Sequence, residues 1–132
     1  MEDVMSITPS LEDYLEAVLF LTKENGNVRV TDIANHLGLS KPSVNKAINN
    51  LKNMALVSHE HYGQLTLTEK GRKIAVNIAK RHVILTGFLF KYLGVDAETA
   101  EKEACLMEHA MSLGTIEKLE AFLKKCNPDS VI

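Results

Sequence analysis

The stretch "VTDIANHLGLSKPSVNKAINNLK", residues 30–52, leaves few folds open. Thr31 can cap a short helix, "TDIANHL", which Gly38 interrupts, and Ser40 can cap a second, "KPSVNKAINNLKNM", with Pro42 tolerated in its first turn. So short a connection forces the two helices to cross steeply. Ala34, four residues before Gly38, supplies the small side chain that such a crossing needs, and Leu39, Val44 and Ile48 supply apolar contacts. The next segment, "ALVSHEHYGQLTLT", reads as two short strands around a Tyr62-Gly63 turn. Helix, tight turn, helix and two-stranded ribbon is the order of a winged helix-turn-helix. The competing reading is two unrelated short helices in a core.

A helix of this kind presents its N-terminal half to the major groove of double-stranded DNA. Its candidate contacts are Ser40, Lys41, Pro42, Ser43, Asn45, Lys46 and Asn49, with Tyr62 on the wing. Hydroxyls and the helix N-terminus suit phosphate, whereas Asn45, Lys46 and Asn49 carry donors able to reach base edges. His59, His61 and Gln64 also fall on or near the wing, where an exposed histidine is more often solvated than functional. The whole chain carries a net charge of −2, which argues superficially against nucleic acid. The distribution reverses that: residues 28–81 hold nine Lys/Arg against Asp32, Glu60 and Glu69, a net +6, while residues 1–27 sum to −5 and 82–132 to −3. A basic middle between acidic ends suits a phosphate-binding module coupled to something that attracts cations. Unevenly spread surface charge is the plainer alternative.

The remaining segments are mainly helical. Thr8 and Pro9 offer an N-cap and first helical residue, with Ser10 and Asp13 a second choice. In "LEDYLEAVLFLTK" Leu11, Leu15, Val18 and Leu19 share a face, and "ENGN" ends the helix. Thr68 opens a long helix, "EKGRKIAVNIAKRHVILTGFLFKYL", ended by Gly94; Asp96 caps "AETAEKEACLMEHAMS", and "GTIEKLEAFLKK" is the last helix. At 132 residues the expectation is a DNA-binding domain over 1–70, and a connecting helix with a helical metal-binding and dimerisation domain over 71–132. Apolar residues at 45% suffice for a core, and the apolar runs are too short for a membrane span. The acidic start "MEDVMSITPS" is unlike a secretory signal, and two cysteines are poor material for a disulfide framework. A cytoplasmic protein is expected.

Two polar stripes attract interest. On the first helix Asp13 and Glu16 share a face with Phe20, a face expected to pack on something. In "ACLMEHAMS" Cys105, Glu108, His109 and Ser112 form one stripe, beside Ala104, Met107 and Met111, which read as core or interface. Together the stripes offer carboxylates, an imidazole and a thiolate, and His82 can add a second imidazole. An oxygen-rich mixed set suits Mn2+ or Fe2+, and the thiolate shifts preference towards softer ions. Coincidental spacing explains such a stripe equally well.

"TPSLEDYLEAVLFL", "VTDIANHLGLSKPSVNKAINNLK", "LTLTEKGRKIA", Arg81-His82 and "EACLMEHAMS" together resemble, in order and spacing, the diphtheria-toxin-repressor family of metal-dependent transcriptional repressors across residues 6–126. The resemblance implies a mainly α chain: a winged helix-turn-helix domain joined by a long helix to a helical dimerisation domain, with a divalent metal as co-repressor. It places Asp13, Glu16, Cys105, Glu108 and His109 on the family's main metal positions and His82 on the histidine of its second site. Asp13 resembles the manganese-responsive branch and Cys105 the iron-responsive one. Thr86 and Glu101 stand where iron-responsive members carry a carboxylate and a histidine for an ancillary site, so the chain departs from that version. A manganese-type second metal on Glu16, His82 and Glu108, helped by Cys105, is compatible with it. A chain ending near residue 132 lacks the SH3-like third domain of many iron-responsive members, again like the manganese branch.

The expected function is therefore a homodimeric repressor that is not an enzyme. Bound Mn2+ or Fe2+ would set its recognition helices on a palindromic operator and so control metal homeostasis, with Zn2+, Co2+ or Ni2+ able to substitute in vitro. Two alternatives compete: a winged-helix regulator sensing oxidation or a small ligand through Cys105 without metal, and a small metal-dependent hydrolase.

Overall fold

A computed structural model of the chain describes residues 7–60 and 63–127. His61 and Tyr62 lie outside them, so the wing contact expected of Tyr62 falls outside the described residues. The elements run α1 (Pro9–Asn25), α2 (Val30–Leu37), α3 (Lys41–Asn53), β1 (Val57–His59), β2 (Leu65–Leu67), α4 (Glu69–Gly87), a π-helical turn (Phe88–Tyr92), α5 (Ala97–Glu108) and α6 (Leu113–Cys126). Two compact units divide them, residues 1–76 and 77–132, the boundary falling within α4. The mainly α fold with a winged helix-turn-helix is as expected.

In the first unit, Thr8 caps α1 by accepting the Leu11 N–H at 3.2 Å, so the alternative cap is unused. Leu15, Val18 and Leu19 are buried as a stripe, joined by Ile33, Val44, Ile48, Leu51, Leu56 and Leu65. Gly38 ends α2 in the left-handed conformation at φ 69°, which a side chain would resist. Ser40 then opens α3, accepting the Ser43 N–H at 3.3 Å. Two expectations need correction. Helix α2 starts at Val30 with Arg29, not Thr31, as its cap residue, because Asp32 reaches back to accept the Arg29 N–H at 2.9 Å. Leu39 is 45% exposed, so the helix crossing rests on Ala34, Val44 and Ile48 without it.

The wing is an antiparallel pair with Val57 opposite Leu67 and His59 opposite Leu65. The Leu65 N–H also donates to the Val28 carbonyl at 2.7 Å, tying the ribbon to the α1–α2 connection. The α3–β1 turn is closed by the Leu56 N–H on the Leu51 carbonyl, with Ala55 at φ 62° where glycine is usual. Thr68 joins the wing to α4, donating its hydroxyl to the Ala55 carbonyl at 2.7 Å and accepting the Gly71 N–H at 3.0 Å. Helix α4 thereby passes so close to the wing that a Cβ on Gly71 would fall on the Leu56 carbonyl oxygen, 2.9 Å from its carbon.

The second unit packs around Ile84, Leu85, Leu89, Ala100, Ala104, Ile116 and Leu123, with Met107 and Met111 partly buried against them. The methionines are core, as expected. The long helix does not stay α-helical to Leu93: residues 88–92 widen into a π turn, in which the Leu93 N–H reaches the Phe88 carbonyl at 3.1 Å. Tyr92 then donates to the Leu123 carbonyl at 3.2 Å, fastening α6. Helix α5 ends at Glu108, short of the expected Ser112, which instead caps α6 by accepting the Thr115 N–H at 3.1 Å.

Two substitutions test these local constraints by urea denaturation. Gly71→Ala is expected to cost about 2 kcal/mol, because rigid backbone must yield. Ala55→Gly is expected to add about 1 kcal/mol by relieving the left-handed alanine.

Candidate metal centre and DNA-reading helix

The metal candidates of the second unit come from α4 and the end of α5. Residues 105 and 108 lie one turn apart on α5, and His109 follows at its C-cap. Cys105, Glu108 and His109 each offer one ligand atom, and these atoms lie within 4.8 Å of one another; an oxygen of Glu108 has His82 within the same limit. Ser112, expected on this stripe, leaves it because the helix has already ended.

Glu108 is the centre of the arrangement and is fully buried. Its Oε1 lies 2.7 Å from His82 Nδ1, and its Oε2 lies 3.6 Å from His109 Nε2, beyond hydrogen-bond reach. Oε2 is therefore a buried carboxylate oxygen with no hydrogen-bond partner. Leaving such an atom unmatched is costly, and a cation beside it is the simplest remedy. The neighbouring donors, a thiol and an imidazole, fit a divalent transition metal. Arg81 supports the same corner, donating from Nη1 to the Glu108 carbonyl at 3.2 Å, where the last carbonyls of α5 need a donor.

His82 is held at both ends, with Nε2 2.6 Å from a Glu101 carboxylate oxygen. The hydrogen bond to Glu108 pushes its pKa up most; burial works against this, and the nearby charges of Glu108 and Glu101 add to the rise, to about 9. Near neutral pH the metal-free imidazole is thus a cation between two carboxylates. Thr86, one turn further along α4, has a buried hydroxyl without a hydrogen-bond partner, beside a groove of about 310 Å³ also lined by His82, Phe90 and Glu101. Asp13 and Glu16 lie half-buried on α1 of the first unit, three residues apart, so they project from one side of that helix. Phe20, expected to pack, is 49% exposed and stacks on His36 with ring centroids 5.2 Å apart.

The DNA-reading candidates divide cleanly by burial. Val44, Ala47, Ile48 and Leu51 hold α3 to the core, while Ser40, Lys41, Pro42, Ser43, Asn45, Lys46 and Asn49 are all exposed. Ser40 and Ser43 also bond to each other at 2.9 Å, so the Ser40 hydroxyl is engaged in starting the helix. Two further basic contacts escaped sequence reasoning. Lys52 reaches His59 at 3.3 Å, linking α3 to the wing, and the Arg29 guanidinium lies against Gly63. Both lysine and arginine were visible in the basic segment, but only folding shows which groups they meet.

Residues 6–65 match the N-terminal DNA-binding domain of the iron-dependent repressors, and residues 68–130 match their metal-binding and dimerisation domain. An HTH-type transcriptional regulator of Methanocaldococcus jannaschii is 37% identical over 120 residues, covering 90% of this chain and 96% of the relative. The HTH-type transcriptional regulator MntR of Bacillus subtilis is 38% identical over 112 residues, 85% of this chain and 78% of MntR. Among solved structures, the manganese regulator SloR superposes with a TM-score of 0.79 at 29% identity, covering 89% of this chain and 55% of SloR. The structure of T. acidophilum IdeR gives a TM-score of 0.74 at 28% identity, covering 84% of this chain and 53% of IdeR. The chain thus spans about half the length of these solved relatives. Such relatives are transcriptional regulators, which sets the hydrolase reading aside. The chain belongs to the diphtheria-toxin-repressor (iron-dependent repressor) family of metal-dependent, DNA-binding transcriptional regulators.

Proposed function

We propose that this protein is a cytoplasmic, homodimeric repressor of metal-ion homeostasis genes, with Mn2+ or Fe2+ as co-repressor. Residues 1–70 read DNA, and residues 71–132 bind metal and dimerise. The ligands are Asp13, Glu16, His82, Cys105, Glu108 and His109. The observation that carries the reading is the buried Glu108 oxygen without a hydrogen-bond partner, in reach of a thiol and an imidazole. The names of MntR and of the manganese regulator SloR support manganese, as does aspartate at position 13; cysteine at position 105 favours iron. Zn2+, Co2+ and Ni2+ are expected to bind in vitro as well, following their higher intrinsic affinity.

A bound divalent cation supplies the positive charge that offsets the gathered carboxylates. Glu108 contributes its otherwise unmatched oxygen, Cys105 and His109 flank it, and Asp13 and Glu16 commit α1 to the same ion. In a symmetric dimer, commitment of α1 fixes the spacing of two α3 helices, which must lie about 34 Å apart to read successive turns of a palindrome. Lys41 and the hydroxyls position the helix on phosphate, and Asn45, Lys46 and Asn49 reach for base edges. Exposed apolar side chains on the second unit, among them Leu93, Leu106 and Phe122, support a surface covered by a second copy.

The deciding experiment is anaerobic binding to a palindromic fragment from a manganese- or iron-transporter promoter, at fixed salt, with chelator and then with Mn2+ or Fe2+. Tight binding is expected only with metal; equal binding with chelator would remove the co-repressor role. Metal and DNA affinities should rise together by about 1–3 kcal/mol. Glu108→Gln is expected to abolish the metal response while the folded dimer persists. A Lys41→Ala chain should bind more weakly across all sequences, with the salt slope reduced by about one.

A further inference from the structure

Glu101 has no part in the ligand set proposed above, yet one of its carboxylate oxygens lies 2.6 Å from His82 Nε2. Glu101 and Glu108 lie seven residues apart on α5, two turns and about 10.5 Å along its axis, so both point the same way. Ala104, between them on that face, is fully buried and small. The imidazole of His82 crosses this gap with Nδ1 on Glu108 and Nε2 on Glu101. A neutral imidazole has one N–H and one lone pair, and a carboxylate can only accept. Whichever nitrogen keeps its proton for a carboxylate leaves the other to a metal. Glu108 is fully buried beside the remaining donors, whereas Glu101 is 64% exposed and away from them.

We propose that Glu101 is a positioning residue: it accepts the Nε2–H of His82, fixing the tautomer and ring orientation in which Nδ1 is the ligand atom. The inference rests on the metal reading above, and concerns which atom of His82 binds and what holds it there. Carboxylates on the outer nitrogen of a metal-bound histidine generally act this way, aligning the ring and strengthening it as a donor. The plain alternative is a surface ion pair joining α4 to α5, which would contribute little to metal affinity.

The test uses the full chain, 15N-labelled, with Zn2+ as a diamagnetic probe. Long-range 1H–15N spectra report the tautomer, and titration calorimetry the affinity; a His82→Gln variant identifies the resonances. In the wild type, Zn2+ is expected on Nδ1 with Nε2 protonated. Glu101→Leu should lose the fixed tautomer and weaken Zn2+ binding by about 10-fold. Glu101→Gln keeps an accepting oxygen and should stay within about threefold of the wild type with the tautomer intact. Circular dichroism on each variant checks the fold, which an exposed residue should not disturb. Zn2+ on Nε2 would overturn the proposal, as would a Glu101→Leu chain with wild-type affinity and tautomer. So would a Glu101→Gln chain as weak as Glu101→Leu, since charge rather than bond geometry would then matter. Absence of any Zn2+ effect on His82 in the wild type would instead bring down the metal reading itself, and this proposal with it.

Discussion

A carboxylate at the end of a helix, closed off from water, organises the second unit. Glu108 is fully buried, and taking such a group out of water costs several kcal/mol unless partners replace the lost hydration. The chain supplies those partners unevenly. His82 serves Oε1, Arg81 serves the backbone carbonyl, and Oε2 has no hydrogen bond. Much of the surrounding sequence reads as a device for delivering that carboxylate. Asp96 starts α5 by accepting the Thr99 N–H at 3.1 Å, and the Thr99 side chain, with this N–H, holds the Asp96 carboxyl below its usual range. Ala100 and Ala104 let the helix lie close to its neighbours. The helix then stops at Glu108, the Ala110 N–H taking the Met107 carbonyl in a tighter turn, and His109 falls immediately outside it.

The first unit solves a different problem, that of exposing one helix face rigidly. Four apolar side chains fasten α3, and the polar residues between them have no structural duty beyond the Ser40 cap. This separation lets the reading surface vary without disturbing the fold. The wing is equally anchored, by Leu65 on Val28 and by Thr68 on Ala55, so its position relative to α3 is set by hydrogen bonds between backbones as well as by packing. The net charge of +6 over residues 28–81, which carry α2, α3, the wing and the first part of α4, attracts phosphate, whereas residues 82–132 sum to −3.

Periodicity and caps made most of this legible in the sequence. Thr8, Ser40 and Asp96 were identifiable as caps because each is a short polar residue before a helical repeat, and each does accept the expected N–H. The failures have particular causes. Thr31 was chosen as a cap for its hydroxyl, but Asp32 three residues after Arg29 forms the competing bond. The π turn at residues 88–92 carries no compositional mark, since Phe, Leu and Tyr suit either helix. Gly71 stands in the first turn of a helix because of a close approach to Leu56, fifteen residues away, which no local pattern encodes. Cys105, Glu108 and His109 were legible as a cluster, while the pairing of Glu101 with His82 depends on how α4 and α5 pack.

The donor set also bears on how one metal is chosen over another. Affinity alone ranks zinc and copper above manganese and iron at almost any site, so selection has to come from coordination number, geometry and ligand type. Adjacent residues at a helix end are well suited to this. Glu108 is fixed by burial and by its bond to His82, whereas Cys105 is exposed. An ion content with few, soft ligands can draw on the thiolate and an imidazole. One that demands more oxygens would, under the proposed function, engage Glu108 together with Asp13 and Glu16. Under the proposed function only the second mode recruits Asp13 and Glu16 fully, so a tightly bound wrong metal need not be an effective co-repressor. Under that reading occupancy and activation are separate properties of the six proposed ligands, and the buried glutamate is the ligand on which activation would turn.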